Sequence, residues 1–176
     1  VLHMAVLMPL SETDRLPRWR RPEALLYLMA AAMPLSFATW SALLNNFVIE
    51  VAAFTGKEIG WLHTVREIPG LLAVVVIAIL LAVREQVLAL LMLALLGAAT
   101  MFTGWFTSFS GLLVMTLLSS LGFHYFETVN QSLQLQWIDK VRAPVVLGRI
   151  VAVGAGASLA AYGAIVALWD RFNLDY

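Results

Sequence analysis

"SGLLVMTLLSSLGFHYFETVNQ", residues 110–131, decides how the chain is read. Its first half is apolar enough for the inside of a bilayer. Its second half places His124, Glu127, Asn130 and Gln131 within two turns, where each polar group is costly to bury in lipid. Helical spacing resolves the conflict, because His124, Glu127, Gln131 and Gln134 step by three and four positions and so form one line, with Ser120 extending it. The stretch predicts a membrane helix whose polar line faces protein or a water-filled cavity.

The rest of the chain supports a membrane setting. Of its 176 residues 61% are hydrophobic and 12% charged, with a mean hydropathy of +0.87, more apolar surface than one soluble core of this length hides. Eleven basic residues balance eleven acidic ones, so net charge points to no nucleic-acid partner. The absence of cysteine removes disulfides and thiolate chemistry.

Outward from residues 110–131, the composition predicts five spans near 24–50, 59–83, 86–106, 109–135 and 146–169, joined by short breaks such as "FTGKE" and "VREQ". Each approaches the ~20 residues that a bilayer core requires. Short links predict antiparallel packing of sequence neighbours. Residues 1–23 are expected to form a cytoplasmic amino-terminal arm and 24–176 a transmembrane helical domain. With that orientation Arg15, Arg18, Arg20, Arg21, Arg84, Lys140, Arg142 and Arg149 lie inside, against Lys57 and Arg171 outside, as the positive-inside bias requires. Trp19, Trp61, Trp105, Trp137 and Trp169 fall near the predicted interfaces and Trp40 in mid-span. A plasma or inner membrane is the expected location.

The spans differ in polarity. The third, "QVLALLMLALLGAATMFTGWF", reads as a helix largely surrounded by lipid. The first carries Asn45, Asn46 and Glu50; the second His63, Arg66 and Glu67, which share one face. Glu50, His63, Arg66 and Glu67 form an expected intramembrane charge network in which Arg66 requires a carboxylate partner. Pro34 and the pair Pro69–Gly70 are expected to kink their helices. In the fifth span Gly148, Ala152, Gly156, Ala160 and Ala164 recur every four residues, a smooth stripe, widened by Gly154 and Gly163, suited to close approach of another helix.

This pattern resembles the amino-terminal half of a major facilitator superfamily transporter over about residues 24–169. The likeness lies in the short loops, the polar first, second and fourth helices, the lipid-like third, and the basic, proline-bearing link "LQWIDKVRAPVVLGR". The resemblance implies an all-α membrane fold, part of a six-helix half, with the first and fourth helices lining a cavity. Two departures stand out: "LLAVREQVLAL" lacks the family's basic loop motif apart from Arg84 and Glu85, and "VGAGASLAAYGAI" lacks a Gly-Pro pair, so drug/proton antiport is not implied. With five spans instead of six, the chain is expected to be a fragment whose partner is the remainder of the same polypeptide.

The function expected is secondary active transport of a small solute by alternating access, coupled to protons or another ion. The candidates for substrate or coupling ion are Trp40, Asn45, Asn46, His124, Glu127, Asn130 and Gln131. Among them Glu127 is the proton-responsive carboxylate, His124 its modulator, and Trp40 and Asn45 face them from the first helix. No enzyme activity, cofactor or resident metal is expected, and no nucleotide-binding motif is present. Two alternatives come from other classes. One is a non-catalytic membrane subunit that binds a partner through its fifth helix; the other is an intramembrane metalloenzyme using His63, His124 and Glu127, which lacks any H-E-x-x-H signature.

Overall fold

Pro22 opens the first long helix, at the position where its missing N–H leaves no helical bond unmade. The computed structural model describes residues 17–172, so most of the predicted arm, Arg15 included, and the last four residues lie outside the described residues. A short 3-10 turn, Arg18–Arg20, precedes α1, Pro22–Glu50. There follow α2, Gly56–Leu71, and α3, Val75–Leu80, then α4, Glu85–Thr103, α5, Phe109–Trp137, and α6, Ala143–Phe172. Among the described residues there is no strand.

Local chemistry sets the helix ends. Beyond α1, Ala53 adopts a left-handed φ of 54°, and the Phe54 N–H reaches back to the Val48 carbonyl at 2.8 Å, satisfying one of the carbonyls that a helix end leaves open. Glu58 accepts the Thr55 N–H at 2.7 Å and its hydroxyl at 2.9 Å, fixing the start of α2. Ser108 accepts the Gly111 N–H at the start of α5.

Four helices, α1, α4, α5 and α6, are individually long and apolar enough to cross a membrane. That is the build of an all-α integral membrane protein, but it is one continuous span fewer than expected. The second predicted span, 59–83, is divided between α2 and α3 by a break at 72–74, where Ala73, Val75, Val76 and Ile77 donate to carbonyls only three residues back. The two pieces still traverse the bundle, since Leu62 belongs to the apolar cluster at one end and Val76 to that at the other.

Those two clusters define the packing. One gathers Leu26, Met29, Val76, Leu88, Phe126, Leu133 and Val146; the other gathers Trp40, Leu44, Val48, Leu62 and Leu112. The main helix pairs are α4 with α5, α1 with α6, and α2 with α5. Only the first is the expected antiparallel pair of sequence neighbours. In the α2–α5 pair Arg66 meets Ser120 and Leu72 meets Tyr125, so the two helices run parallel. In the α1–α6 pair Glu23 meets Arg142 and the Ala30 carbonyl faces Gly154, also a parallel arrangement.

The third predicted span is less lipid-like than its composition, because α4 buries Leu88, Ala89, Leu96 and Ala99 against its neighbours. The least covered helix is α6, with 11% of its most apolar window buried against 28% for α4. It meets α1 through Val146, Ile150, Gly154 and Ala161. A Cβ at Gly154 would stand 3.3 Å from the Ala30 carbonyl, the group that Pro34 leaves without its helical donor. The stripe Gly148, Ala152, Gly156, Ala160 and Ala164 is exposed along its length, with nothing within 4 Å of a Cβ at Gly148 or Gly156. Close approach within this chain therefore falls at Gly154, one of the two glycines expected to widen the stripe, and not along the stripe itself.

Threonine hydroxyls are hidden in a regular way. Thr39, Thr64, Thr100, Thr103 and Thr128 each donate to the carbonyl four residues back. Thr116 is fully buried and its hydroxyl meets no partner.

Candidate functional site

The broken second span carries the site. Pro69 has no N–H and Gly70 no side chain, which weakens the helix before an uninterrupted valine run. The Ser120 hydroxyl donates to the Arg66 carbonyl, and the Tyr125 hydroxyl donates at 3.3 Å to the Leu72 carbonyl, which also accepts the Val75 N–H at 2.9 Å. Both hydroxyls come from α5, so α5 is tied to its neighbour on either side of the Pro69–Gly70 pair.

The same contact seats His124 against Gly70. A Cβ there would lie 2.9 Å from the ring's Cε1 and 3.1 Å from Nδ1, so any other residue would displace the imidazole. Around this point is a cavity of about 160 Å³. Phe37 and Trp40 of α1 and Phe123 of α5 form its aromatic wall; Arg66, Glu67, Ser119, Ser120 and His124 supply its polar groups. Phe37 stacks on Phe123 with centroids 4.6 Å apart, which ties α1 to α5 beside the cavity.

Arg66 has the partner that its position requires. Its Nη2 lies 2.9 Å from Glu67 Oε1 and its Nε donates to the same oxygen at 3.0 Å. No acceptor among the described residues meets Nη1, leaving one edge of the guanidinium able to bind an anion or a carbonyl. The guanidinium carbon is 6.0 Å from the Trp40 ring centroid, the outer limit of a cation–π contact. With side chains 35% and 58% exposed, Arg66 sits deeper than Glu67, so the pair stands at the mouth of the cavity. Trp40 is buried and its Nε1 donor is unpartnered.

Of the predicted site residues, then, Trp40, Arg66, Glu67 and His124 come together. Glu127 is half-buried one turn further along α5, with the Gln131 side chain in hydrogen-bonding reach. Gln131 is exposed, whereas Asn130 is buried with its Oδ1 unpartnered. Asn45, Asn46 and Glu50 are exposed toward the far end of α1 and do not line the cavity, and neither does half-buried His63. The proposed facing of Asn45 onto α5 is not what the structure shows: Trp40, Leu44 and Val48 form the inward face instead. Phe37, Ser119, Phe123 and Gly70 are site residues that polarity alone did not single out. The signal for Phe37 was its spacing of three from Trp40.

A second polar group lies near the end of α5, where Gln136 donates to Glu85 at 2.7 Å and Ser132 to its other oxygen at 3.3 Å. Trp137, expected at an interface, is buried there with an unpartnered Nε1. No three His, Asp or Glu side chains come together as metal ligands among the described residues. Comparison with protein families, with curated proteins and with solved structures gives no match for this chain.

Proposed function

We propose that the protein takes part in secondary active transport of a small solute across a membrane, by alternating access coupled to protons or another ion. The observation that carries this reading is the cavity at the break between α2 and α3, where an ion pair, a histidine and two serines meet an aromatic wall inside a bundle of membrane-type helices. Secondary transporters place substrate sites at interrupted helices, where irregular backbone lines a cavity. The open edge of Arg66, the Trp40 N–H and Ser119 bind the solute. Glu127, one turn from His124, carries the coupling proton. The resemblance to a major facilitator half implies a cavity lined by the first and fourth spans; here α1, α5 and the broken second span line it.

Reconstitution into vesicles with an imposed proton gradient tests this. Glu127→Gln keeps the side chain's shape and removes its charge, and the expected outcome is loss of gradient-driven accumulation with solute exchange retained. Arg66→Gln is expected to abolish both. Accumulation by Glu127→Gln at the wild-type level and pH dependence would return Glu127 to a structural role. A second reading, a non-catalytic subunit that meets a partner helix, is favoured by the open stripe on α6; it predicts no solute movement by the protein under any gradient.

A further inference from the structure

The ion pair at the mouth of the cavity at the α2–α3 break is satisfied on one side only. Arg66 directs Nε and Nη2 to a single oxygen, Glu67 Oε1. A guanidinium has five N–H donors, so both on Nη1 and the second on Nη2 are left over. Glu67 Oε2 accepts from no donor among the described residues. The pair therefore presents a donor edge and an acceptor oxygen side by side, on consecutive residues locked together through Oε1. Ser119 adds a third group: it is 4% exposed, it lines the same cavity, and its hydroxyl meets no partner among the described residues.

The rest of the cavity is aromatic. Phe37 stacks with Trp40 at 6.3 Å between centroids as well as with Phe123, and Phe123 meets His124 edge-on at 5.1 Å. Such faces favour another flat ring, offset or edge-on. The volume, about 160 Å³, is close to the ~150 Å³ that seats one benzene in an apolar core.

Charge decides what the ring must carry. Arg66 and Glu67 cancel each other, so an anion would leave one net negative charge among membrane-type helices and a cation one net positive charge, each costly at that depth. A zwitterion leaves none. We infer that the cavity binds the zwitterion of an α-amino acid with a flat apolar side chain, its carboxylate on the open edge of Arg66 and the Ser119 hydroxyl, its ammonium on Glu67 Oε2, and its ring against Phe37, Trp40 and Phe123. Both charges of an α-amino acid are attached to one carbon, so their partners must be neighbours, as Arg66 and Glu67 are. Glu67 is the more exposed of the two, 58% against 35%, which puts the ammonium at the mouth and the ring inward. The inference names the solute of the transport reading and rests on it.

Equilibrium binding of L-phenylalanine to the purified protein in detergent, beside three analogues, tests it. Phenylpropanoate lacks the ammonium, phenethylamine lacks the carboxylate, and glycine lacks the ring. The first two are each expected to bind about tenfold weaker, the value of one hydrogen bond to a charged group, and glycine at least as weakly, for want of ring burial. Glu67→Gln should reverse an order: phenylalanine weakens, while phenylpropanoate, now facing a guanidinium without its counter-charge, gains. That gain also shows the variant to be folded, and a merely structural Glu67 would not produce it. Phenylpropanoate or phenethylamine binding wild type as tightly as phenylalanine would overturn the zwitterion, glycine binding as tightly would overturn the ring seat, and an unchanged order in Glu67→Gln would remove Glu67 from the site. Binding of none of the four would overturn the whole inference. Vesicle uptake separates it from the transport reading. Phenylalanine bound but accumulated under no gradient would support the site and sink transport, whereas gradient-driven movement of another solute without phenylalanine binding would sink the site and leave transport standing.

Discussion

Gly122→Ala tests the packing on which the site rests. The Cβ it adds would lie 2.7 Å from the Leu96 backbone nitrogen, 2.8 Å from the Met92 carbonyl oxygen and 3.1 Å from Leu96 Cα. Ordinary contact for a Cβ begins near 3.4 Å. All three obstructing atoms are backbone of α4, so no rotamer change relieves the clash and α4 and α5 must separate by several tenths of an ångström. A gap of ~0.5–1 Å forfeits roughly a quarter to a half of each dispersion contact across the interface. In lipid no hydrophobic force compensates, since the tails are as apolar as the side chains. Overpacking of this kind costs about 1–3 kcal/mol, against which alanine's higher helix propensity returns ~0.5–1 kcal/mol.

The assay is thermal unfolding in detergent, with Gly156→Ala as the matched control. Nothing lies within 4 Å of a Cβ at Gly156, so the control carries the propensity gain alone and should melt at or slightly above wild type. Gly122→Ala should melt several degrees lower, at about 2–4 °C per kcal/mol for a chain of this length. Equal melting of the two variants would mean that α4 and α5 are not in backbone contact at Gly122, and the placement of α5 beneath the cavity would fall with it.

Gly70→Ala meets a movable obstacle, the His124 ring; stability is expected within ~0.5 kcal/mol of wild type, with the imidazole expelled from its seat and solute transport impaired, as uptake and the His124 NMR resonance would report. Thr116→Val removes a buried hydroxyl without a partner and is expected to raise stability, by roughly 1 kcal/mol in denaturant or thermal unfolding. Glu58, held below its ordinary pKa of 4.5 by the Thr55 N–H and then by the Thr55 hydroxyl, is a depressed acid. Its support for the start of α2 is therefore present above pH 4.5 and lost as pH falls through the lower folded value; amide exchange near Thr55 should accelerate below that range, and Glu58→Gln should flatten the pH dependence.

The spans were legible because charge, glycine and proline punctuate them: α1, α4 and α5 begin and end within three residues of the segments read from composition, and α6 does at both ends. The break at 72–74 was not, since "LLAVVVIAILL" contains no interrupting residue; the helix-weakening pair Pro69–Gly70 lies just upstream of it. Spacing placed Arg66 and Glu67 together, and they form an ion pair, whereas His63, on the same predicted face, and Glu127, in line with His124, do not line the cavity. It could not show which helices meet. On α6 the packed face follows Val146, Ile150 and Gly154, and the stripe beginning at Gly148 is two residues on, about 200° around the helix at 100° per residue. Small residues mark where approach is sterically allowed, and the side on which it occurs depends on a neighbour that the pattern does not contain. Asn45 illustrates the same limit, standing one residue, roughly 100°, from buried Leu44.

The contact between α5 and the broken second span gathers the cavity. Ser120 and Tyr125 reach the Arg66 and Leu72 carbonyls because α5 runs parallel to α2 and close to it, a distance that Gly70 permits. With α5 held there, His124 sits against Gly70. Arg66, whose carbonyl Ser120 holds, then projects toward Trp40 with Glu67 beside it. The polar residues of the cavity are thus gathered by the packing of α5 against the broken second span.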